Sequence, residues 1–176
     1  MGTSSSFQDR FEELFTAHFH RLWRFMDRLT GEPDLAADLV QDAFLKLLER
    51  GSLPDAPESW LITVTLNLFR NQRTTRARRG RLLTLARAAE IQGDPAPAPD
   101  QVAMAGDSRR GVRTALERLP ERERALLLLR AEGYSYRDLA AALDLNEASI
   151  GVLLARAKRA FRAHYEDKEG AGDAPR

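Results

Sequence analysis

Two helices separated by a three-residue turn are encoded in the stretch Ser135-Tyr-Arg-Asp-Leu-Ala-Ala-Ala-Leu-Asp-Leu-Asn146 and the residues after it. Ser135 and Asp138 have the S-x-x-D spacing of a capping box, which predicts that a short helix begins there. Asp144-Leu-Asn146 predicts a turn, and helical periodicity predicts a long second helix from about Glu147. Its inward-facing residues are Ile150, Leu154, Ala157 and Phe161. The pattern is typical of a helix-turn-helix unit, whose second helix can enter the major groove of DNA.

The first 80 residues also have helical periodicity. Apolar side chains recur three or four positions apart at about residues 7–29, 33–50 and 59–79, which predicts three amphipathic helices. Thr30-Gly31 predicts the end of the first helix, and Pro33 suits the first turn of the second, where a missing N–H costs no hydrogen bond. Because no stretch alternates apolar and polar residues, we predict no strand.

A proline-rich segment separates these helices from the helix-turn-helix unit. Gly93-Asp-Pro-Ala-Pro-Ala-Pro-Asp100 contains three prolines, which favour an extended, polyproline-type backbone. We therefore predict an all-α fold in which two small helical domains are joined by a Pro/Ala-rich linker. The predicted units are a helical domain at 1–80, an extended linker at 81–107, a helix-turn-helix domain at 108–166 and a flexible tail at 167–176. A short helical extension through Leu82, Leu83 and Leu85 before the linker is the alternative.

The composition excludes several classes of function. The 176 residues include 27 Lys and Arg against 26 Asp and Glu, and 43% are hydrophobic, which are globular values. The absence of Cys excludes a disulfide framework, a thiol nucleophile and any Cys-ligated metal site. His18 and His20 are two apart on a helix and do not face each other, and no phosphate-binding glycine loop or hydrolase motif occurs. We predict no enzymatic activity, no cofactor and no metal.

The chain also lacks membrane and export signals. No apolar run approaches the roughly 18 residues needed to span a membrane, and the first ten residues lack the basic-then-apolar pattern of a signal peptide. We therefore expect a cytoplasmic protein without a membrane partner.

The most informative feature is a stretch without carboxylates. From Ser59 to Ala89 there is no Asp or Glu, whereas seven Arg residues occur there. Positions 70, 73, 76 and 79 are three apart, so these arginines follow one side of a helix. Guanidinium groups match phosphate geometry and stack on bases. The pattern favours a nucleic-acid-binding helix over a basic surface that only maintains solubility.

The predicted second helix carries an acidic pair. Asp38 and Asp42 are four apart, so two like charges share one helix face at a small cost in stability. This cost suggests a cationic partner outside the chain. An ordinary solvated acidic face is the alternative.

The order of these features resembles the bacterial RNA polymerase sigma factors of the extracytoplasmic-function group, the two-domain form of the sigma-70 family. Four motifs carry the resemblance in the first domain, and three carry it in the second. The first four are Phe11-Glu-Glu-Leu-Phe15, Leu29-Thr-Gly-Glu-Pro-Asp-Leu-Ala36, Asp38-Leu-Val-Gln-Asp-Ala-Phe-Leu45, and Trp60-Leu61 followed by Asn67-Leu68 and the arginines. The other three are Leu116-Glu-Arg-Leu-Pro120, Gly133-Tyr-Ser-Tyr-Arg-Asp-Leu-Ala140 and Arg156-Ala-Lys158.

The resemblance implies a transcription initiation factor that binds core RNA polymerase and directs promoter recognition and melting. The implied partners are the clamp helices of the largest polymerase subunit, the β flap, promoter DNA and an anti-sigma factor, which holds most relatives inactive. The implied polymerase-binding residues are Asp38, Leu39, Gln41, Asp42, Phe44 and Leu45. The implied −10 DNA-binding residues are Trp60, Asn67, Arg70, Asn71, Arg73, Thr74 and Arg76. The implied −35 DNA-binding residues are Ser135, Tyr136, Glu147, Ser149, Gly151, Val152, Arg156 and Arg159.

The recognition helix departs from the family pattern. Gly151 and Leu153 stand where Lys and Arg are usual, which predicts weaker hydrogen-bonded readout of the −35 element. A stand-alone helix-turn-helix regulator is the alternative interpretation, and a helical adaptor without nucleic-acid binding is a second one. The interpretation as a stand-alone regulator gives residues 38–44 no role. DNA binding distinguishes the two, because a regulator would bind duplex DNA by itself, whereas a sigma factor binds promoters well only with core polymerase.

Overall fold

The computed structural model describes residues 3–90 and 107–172, and the side chains of residues 7–81 and 110–166. Within these ranges the chain forms helices and turns without any strand, so the all-α prediction is confirmed. The helices are α1 (Thr3–Thr30), α2 (Pro33–Arg50), α3 (Pro57–Glu90), α4 (Asp107–Glu117), α5 (Glu121–Ala131), α6 (Tyr136–Leu143) and α7 (Ile150–Gly172).

Glycine and proline set the helix boundaries in the first half. Gly31 and Gly51 follow α1 and α2 with positive φ angles of 72° and 68°, a conformation that glycine adopts without steric cost. Pro33 is the first residue of α2. These ends agree with the boundaries expected from the sequence.

Helices α1, α2 and α3 pack together around a common core. Phe25 and Met26 of α1, Ala43 of α2 and Ile62 of α3 are fully buried in it. Near the start of α1, several phenylalanine rings pack edge to face or tilted against Phe44. This core fixes the exposed sides of α2 and α3, on which the acidic pair and the arginines lie.

The second half contains the expected helix-turn-helix. The Ser135 side chain accepts a hydrogen bond from the Asp138 amide, and the Asp138 carboxylate accepts one from the Ser135 amide, so the capping box is confirmed. Asp144 ends α6 in the left-handed conformation. A 3₁₀ turn at Glu147–Ser149 precedes α7, which begins at Ile150, three residues later than expected. The Asn146 side chain accepts a hydrogen bond from the Ala148 amide and caps the 3₁₀ turn, so the α-helix begins only after this turn.

The boundary of the linker differs from the prediction. Helix α3 continues to Glu90, so residues 81–90 are helical and not extended. The reason is local, since residues 81–90 contain no glycine or proline and are mostly good helix formers. At the other end, α4 already begins at Asp107. The three prolines lie outside the described residues, as does the end of the predicted tail.

The two halves pack against each other, which the sequence did not indicate. Helix α1 contacts α5, and α3 contacts α6, so one hydrophobic core runs through both halves. Tyr134 lies at this junction and is almost fully buried, with the Arg21 guanidinium 3.7 Å from its ring centre. Burial raises the pKa of the Tyr134 phenol above its ordinary value. In this conformation the helix-turn-helix half is docked onto the half that carries the arginines.

In the described part of the chain, no helix has both the length and the apolar character required to cross a membrane.

Candidate nucleic-acid interface

The polar side chains predicted on α3 lie on its exposed surface. The exposed residues are Asn67, Arg70, Asn71, Arg73, Thr74 and Arg76. Trp60 differs, because it is half-buried and packs against the core. A nucleic acid approaching α3 would therefore meet guanidinium, amide and hydroxyl groups, with only part of one indole ring accessible.

All three arginines in this set form ion pairs with carboxylates. Arg70 Nε and Arg73 Nη1 donate to the two oxygens of Glu121, at 2.9 and 2.6 Å. Arg76 Nη1 donates to both oxygens of Glu32, at 3.0 and 3.2 Å. Because α3 itself has no carboxylate between residues 59 and 89, all these partners come from other parts of the chain. Glu121 belongs to the second half, so its ion pairs with Arg70 and Arg73 link the two halves.

The predicted −35 residues lie on one exposed side of the helix-turn-helix. Tyr136, Glu147, Ser149, Gly151, Val152 and Arg159 are exposed. The Ser135 hydroxyl is engaged in capping α6. Arg156 is exposed and forms an ion pair with Glu123 of α5 at 2.8 Å. The 3₁₀ turn therefore presents one carboxylate and one hydroxyl, and the first two turns of α7 present small or apolar groups together with Arg156.

The predicted polymerase-binding residues divide into two groups. Asp38, Gln41, Asp42 and Leu45 are exposed and follow one side of α2, and we call these four residues the α2 surface. In the part of the chain that is described, neither aspartate forms an ion pair. By contrast, Leu39 and Phe44 are buried. The expectation that these two contact a partner directly is corrected, because their side chains fill the core beneath the α2 surface.

A cluster at the junction of the two halves was missed by the sequence analysis. The Glu132 carboxylate forms ion pairs with Arg24 Nε at 2.9 Å and with Arg28 Nη1 at 2.8 Å. The Glu132 side chain is only 4% exposed. Arg21 Nε donates to the backbone carbonyl of Glu132 at 2.7 Å. The three arginines are three and four positions apart, so they line one face of α1. That spacing was a visible signal in the sequence, but the residue after α5 that they contact was not.

A second contact joins the halves through the helix cap. Ser59 Oγ at the start of α3 donates to Asp138 Oδ1 at 3.1 Å, whereas the other oxygen of Asp138 accepts from the Ser135 amide. Nearby, Thr63 Oγ1 donates to the backbone carbonyl of Ser59 at 2.8 Å.

The described residues contain no group of three His, Cys, Asp or Glu side chains arranged to hold a metal ion.

Comparison with known proteins matches both halves. The family model "Sigma-70 region 2" matches residues 14–79, and "Sigma-70, region 4" matches residues 109–161. The RNA polymerase sigma factor CarQ of Myxococcus xanthus is 31% identical over 162 residues, which cover 88% of this chain and 86% of CarQ. The ECF RNA polymerase sigma factor SigE of Mycolicibacterium smegmatis is 31% identical over 156 residues, which cover 86% of this chain but only 60% of SigE.

A solved structure has the same fold. In the co-crystal structure of the sigma factor RpoE with the anti-sigma factor NepR from Bartonella quintana, the matching chain is 24% identical, with a TM-score of 0.64. The match covers 89% of this chain and 97% of that one. The likeness therefore extends over both halves of the fold.

Proposed function

Since the chain belongs to the sigma-70 family, as a sigma factor of the extracytoplasmic-function group, we propose that it binds core RNA polymerase and directs promoter recognition and melting. One observation carries the proposal: an exposed arginine-rich surface on α3 and a helix-turn-helix occur in one chain, each within its own matched region. A stand-alone regulator is not supported, because it would need only the second of these regions. The function is that of a binding factor and not of an enzyme.

The α2 surface is our proposed docking site for the polymerase. Its two aspartates lie one helical turn apart and have no ion-pair partner within the described residues. Leu45, 54% exposed, adds an apolar group at the end of the same stripe. A surface with both charge and an exposed leucine fits a protein partner with basic residues around an apolar patch. By resemblance, that partner is the clamp-helix region of the largest polymerase subunit.

The arginines of α3 are proposed to hold the −10 DNA as it opens. Opening a base pair costs a few kcal/mol of unstacking, which protein contacts must offset. The guanidinium groups of Arg70, Arg73 and Arg76 supply phosphate contacts, and the Asn67 and Asn71 amides can bond to base edges.

The helix-turn-helix is proposed to bind the −35 duplex, with Arg159 placed to contact phosphates. The β flap and an anti-sigma factor are further proposed partners, and the cytoplasm, where the polymerase acts, is the proposed location.

Promoter DNA and Glu121 compete for the same two arginines. In the present conformation Glu121 binds Arg70 and Arg73, and we propose that this ion pair must break when the −10 DNA binds. The pair itself is weak, because the guanidinium groups are half exposed to water, and such pairs contribute about 0–1 kcal/mol each.

Glu121→Gln is therefore expected to strengthen binding of promoter DNA by the chain without polymerase, by up to about tenfold. Fluorescence anisotropy with an unpaired −10 strand measures the affinity. Glu117→Gln is the matched control, since Glu117 pairs with Arg113 inside α4. Equal affinity for wild type and Glu121→Gln would contradict the competition.

We also expect the −10 sequence to dominate promoter choice. Gly151 and Leu153 provide no hydrogen-bonding side chain, and each good bidentate base contact contributes roughly 1–3 kcal/mol of discrimination. In a transcription assay that scans every promoter position, single −10 changes should lower initiation more than single −35 changes. Losses at −35 that equal those at −10 would contradict this expectation.

Transcription in vitro tests the proposed function itself. The purified chain is added to core polymerase on a library of genomic fragments, and start sites are mapped by sequencing. Defined start sites that require the chain are expected. Their absence, together with tight binding of duplex DNA by the chain alone, would favour the stand-alone regulator.

A further inference from the structure

An apolar stripe of three exposed residues runs from the 3₁₀ turn into α7 and consists of Ala148, Val152 and Ala155. Val152 is 72% exposed, more than any other exposed large hydrophobic residue in the described part of the chain. Ala148 lies four residues before Val152 and Ala155 three residues after it, and both are exposed. Residues at these spacings share one helix face. Scattered exposed apolar residues are ordinary, but this stripe lies where a helix-turn-helix contacts base edges.

Neighbouring residues leave the stripe open to DNA. Gly151 has no side chain, and the Tyr136 ring lies next to it: a Cβ at position 151 would be 3.9 Å from that ring. Leu153 is only half-buried but packs against the core, so it is turned away from the stripe. The exposed Ser149 and Arg156 flank Val152 on the same face, and the Arg156 guanidinium forms an ion pair with Glu123 of α5.

The dimensions of the stripe fit a short run of base pairs. From Ala148 to Ala155 there are two steps along the 3₁₀ turn and five along α7, which at about 2.0 and 1.5 Å per residue give about 11 Å. Base pairs are about 3.4 Å apart along the duplex, so the stripe spans about three of them. In the major groove, the one apolar group on a base edge is the C5 methyl of thymine, and side chains such as Ala contact it directly.

We propose that Val152 is a specificity residue that reads thymine methyl groups in the −35 element, with Ala148 and Ala155 extending the contact. The inference rests on the proposed promoter binding and adds the chemical group that is recognised. Discrimination at −35 then depends on apolar contact more than on hydrogen bonds. The adjoining Arg159 and Arg162, both exposed, hold the phosphates on either side.

The test removes single methyl groups from the DNA. After the −35 element has been mapped, each of its thymines on either strand is replaced in turn by deoxyuridine, which lacks only the C5 methyl. Binding of each promoter is measured with the complete complex of core polymerase and this chain. At one or two adjacent positions we expect a loss of about fourfold, the factor that corresponds to removing one buried methyl group from a contact.

Variants then assign the effect to the side chain. In Val152→Ala, the same deoxyuridine substitutions should change affinity by less than about twofold. Val112→Ala is the matched control, since Val112 is an exposed valine on α4, and it should keep the full sensitivity. Val152 is exposed, so its replacement leaves the core intact, and circular dichroism checks the fold.

Three outcomes would overturn the inference while leaving the proposed function in place. In the first, every deoxyuridine promoter binds with the same affinity as the unmodified promoter. In the second, Val152→Ala loses as much affinity on deoxyuridine substitution as the wild type does. In the third, the mapped −35 element contains no A·T pair. If the chain directs no defined start sites with core polymerase, the proposed function fails and the inference fails with it.

Discussion

Replacing both Asp38 and Asp42 by arginine should lower the affinity of the chain for core RNA polymerase by about a hundredfold. Each substitution reverses a charge on the α2 surface, and like charges brought together across an interface cost several kcal/mol. A hundredfold loss requires only about 1.4 kcal/mol from each position. The helix should stay folded, because both side chains are exposed. The two arginines also form a like-charge pair with the same four-residue spacing as the two aspartates. Binding is measured by a fluorescence titration with core polymerase, and circular dichroism checks helicity.

Asp9→Arg with Glu13→Arg is the matched control. These residues have the same four-residue spacing on the exposed side of α1, so the net charge changes equally at a different surface. The control should bind polymerase as wild type does. If the α2 variant also binds normally, or if both variants lose affinity equally, α2 is not the docking surface.

Replacing Arg73 and Arg76 by alanine should reduce open-complex formation by about a hundredfold and leave polymerase binding nearly unchanged. Hydrogen bonds to charged groups contribute about 1.5 kcal/mol or more each, so two of them account for the loss. Removing Arg73 also breaks its ion pair with Glu121, which favours separation of the two halves and acts in the opposite direction. A net loss must therefore come from the DNA contacts. Permanganate footprinting of unpaired thymines measures the open complex.

Salt dependence gives this variant a second measurement. Each lost phosphate contact should reduce the slope of log affinity against log salt by about 0.7 to 0.9. Arg10→Ala with Arg110→Ala removes two exposed arginines elsewhere and should leave the slope as it is. An unaltered slope in Arg73→Ala with Arg76→Ala would mean that these arginines only keep the surface charged.

The local structure was largely predictable from the sequence because its signals are local. Gly31, Pro33 and the Ser135–Asp138 spacing act over a few residues, and the helix ends follow them. The exposed arginines of α3 were also predictable, since a stretch without carboxylates on an amphipathic helix can only place them outward. The end of α3 is marked less clearly, because Gly80 favours a helix boundary whereas the helix formers at 81–90 continue the helix to Glu90.

The contacts between the halves were not predictable in the same way. Glu132 is an ordinary acidic residue in the sequence, and only the docking of α5 on α1 places it next to Arg24 and Arg28. Likewise, the burial of Leu39 and Phe44 depends on how α1 and α3 cover α2, which periodicity indicates only by face. Long-range packing of this kind leaves no fixed spacing along the chain.

The two oxygens of the Asp138 carboxylate have separate partners, with Oδ2 on the Ser135 amide and Oδ1 on the Ser59 hydroxyl. Loss of Ser59 therefore leaves the cap of α6 in place. The Ser59 contact between the halves can therefore break without loss of the hydrogen bonds that begin α6.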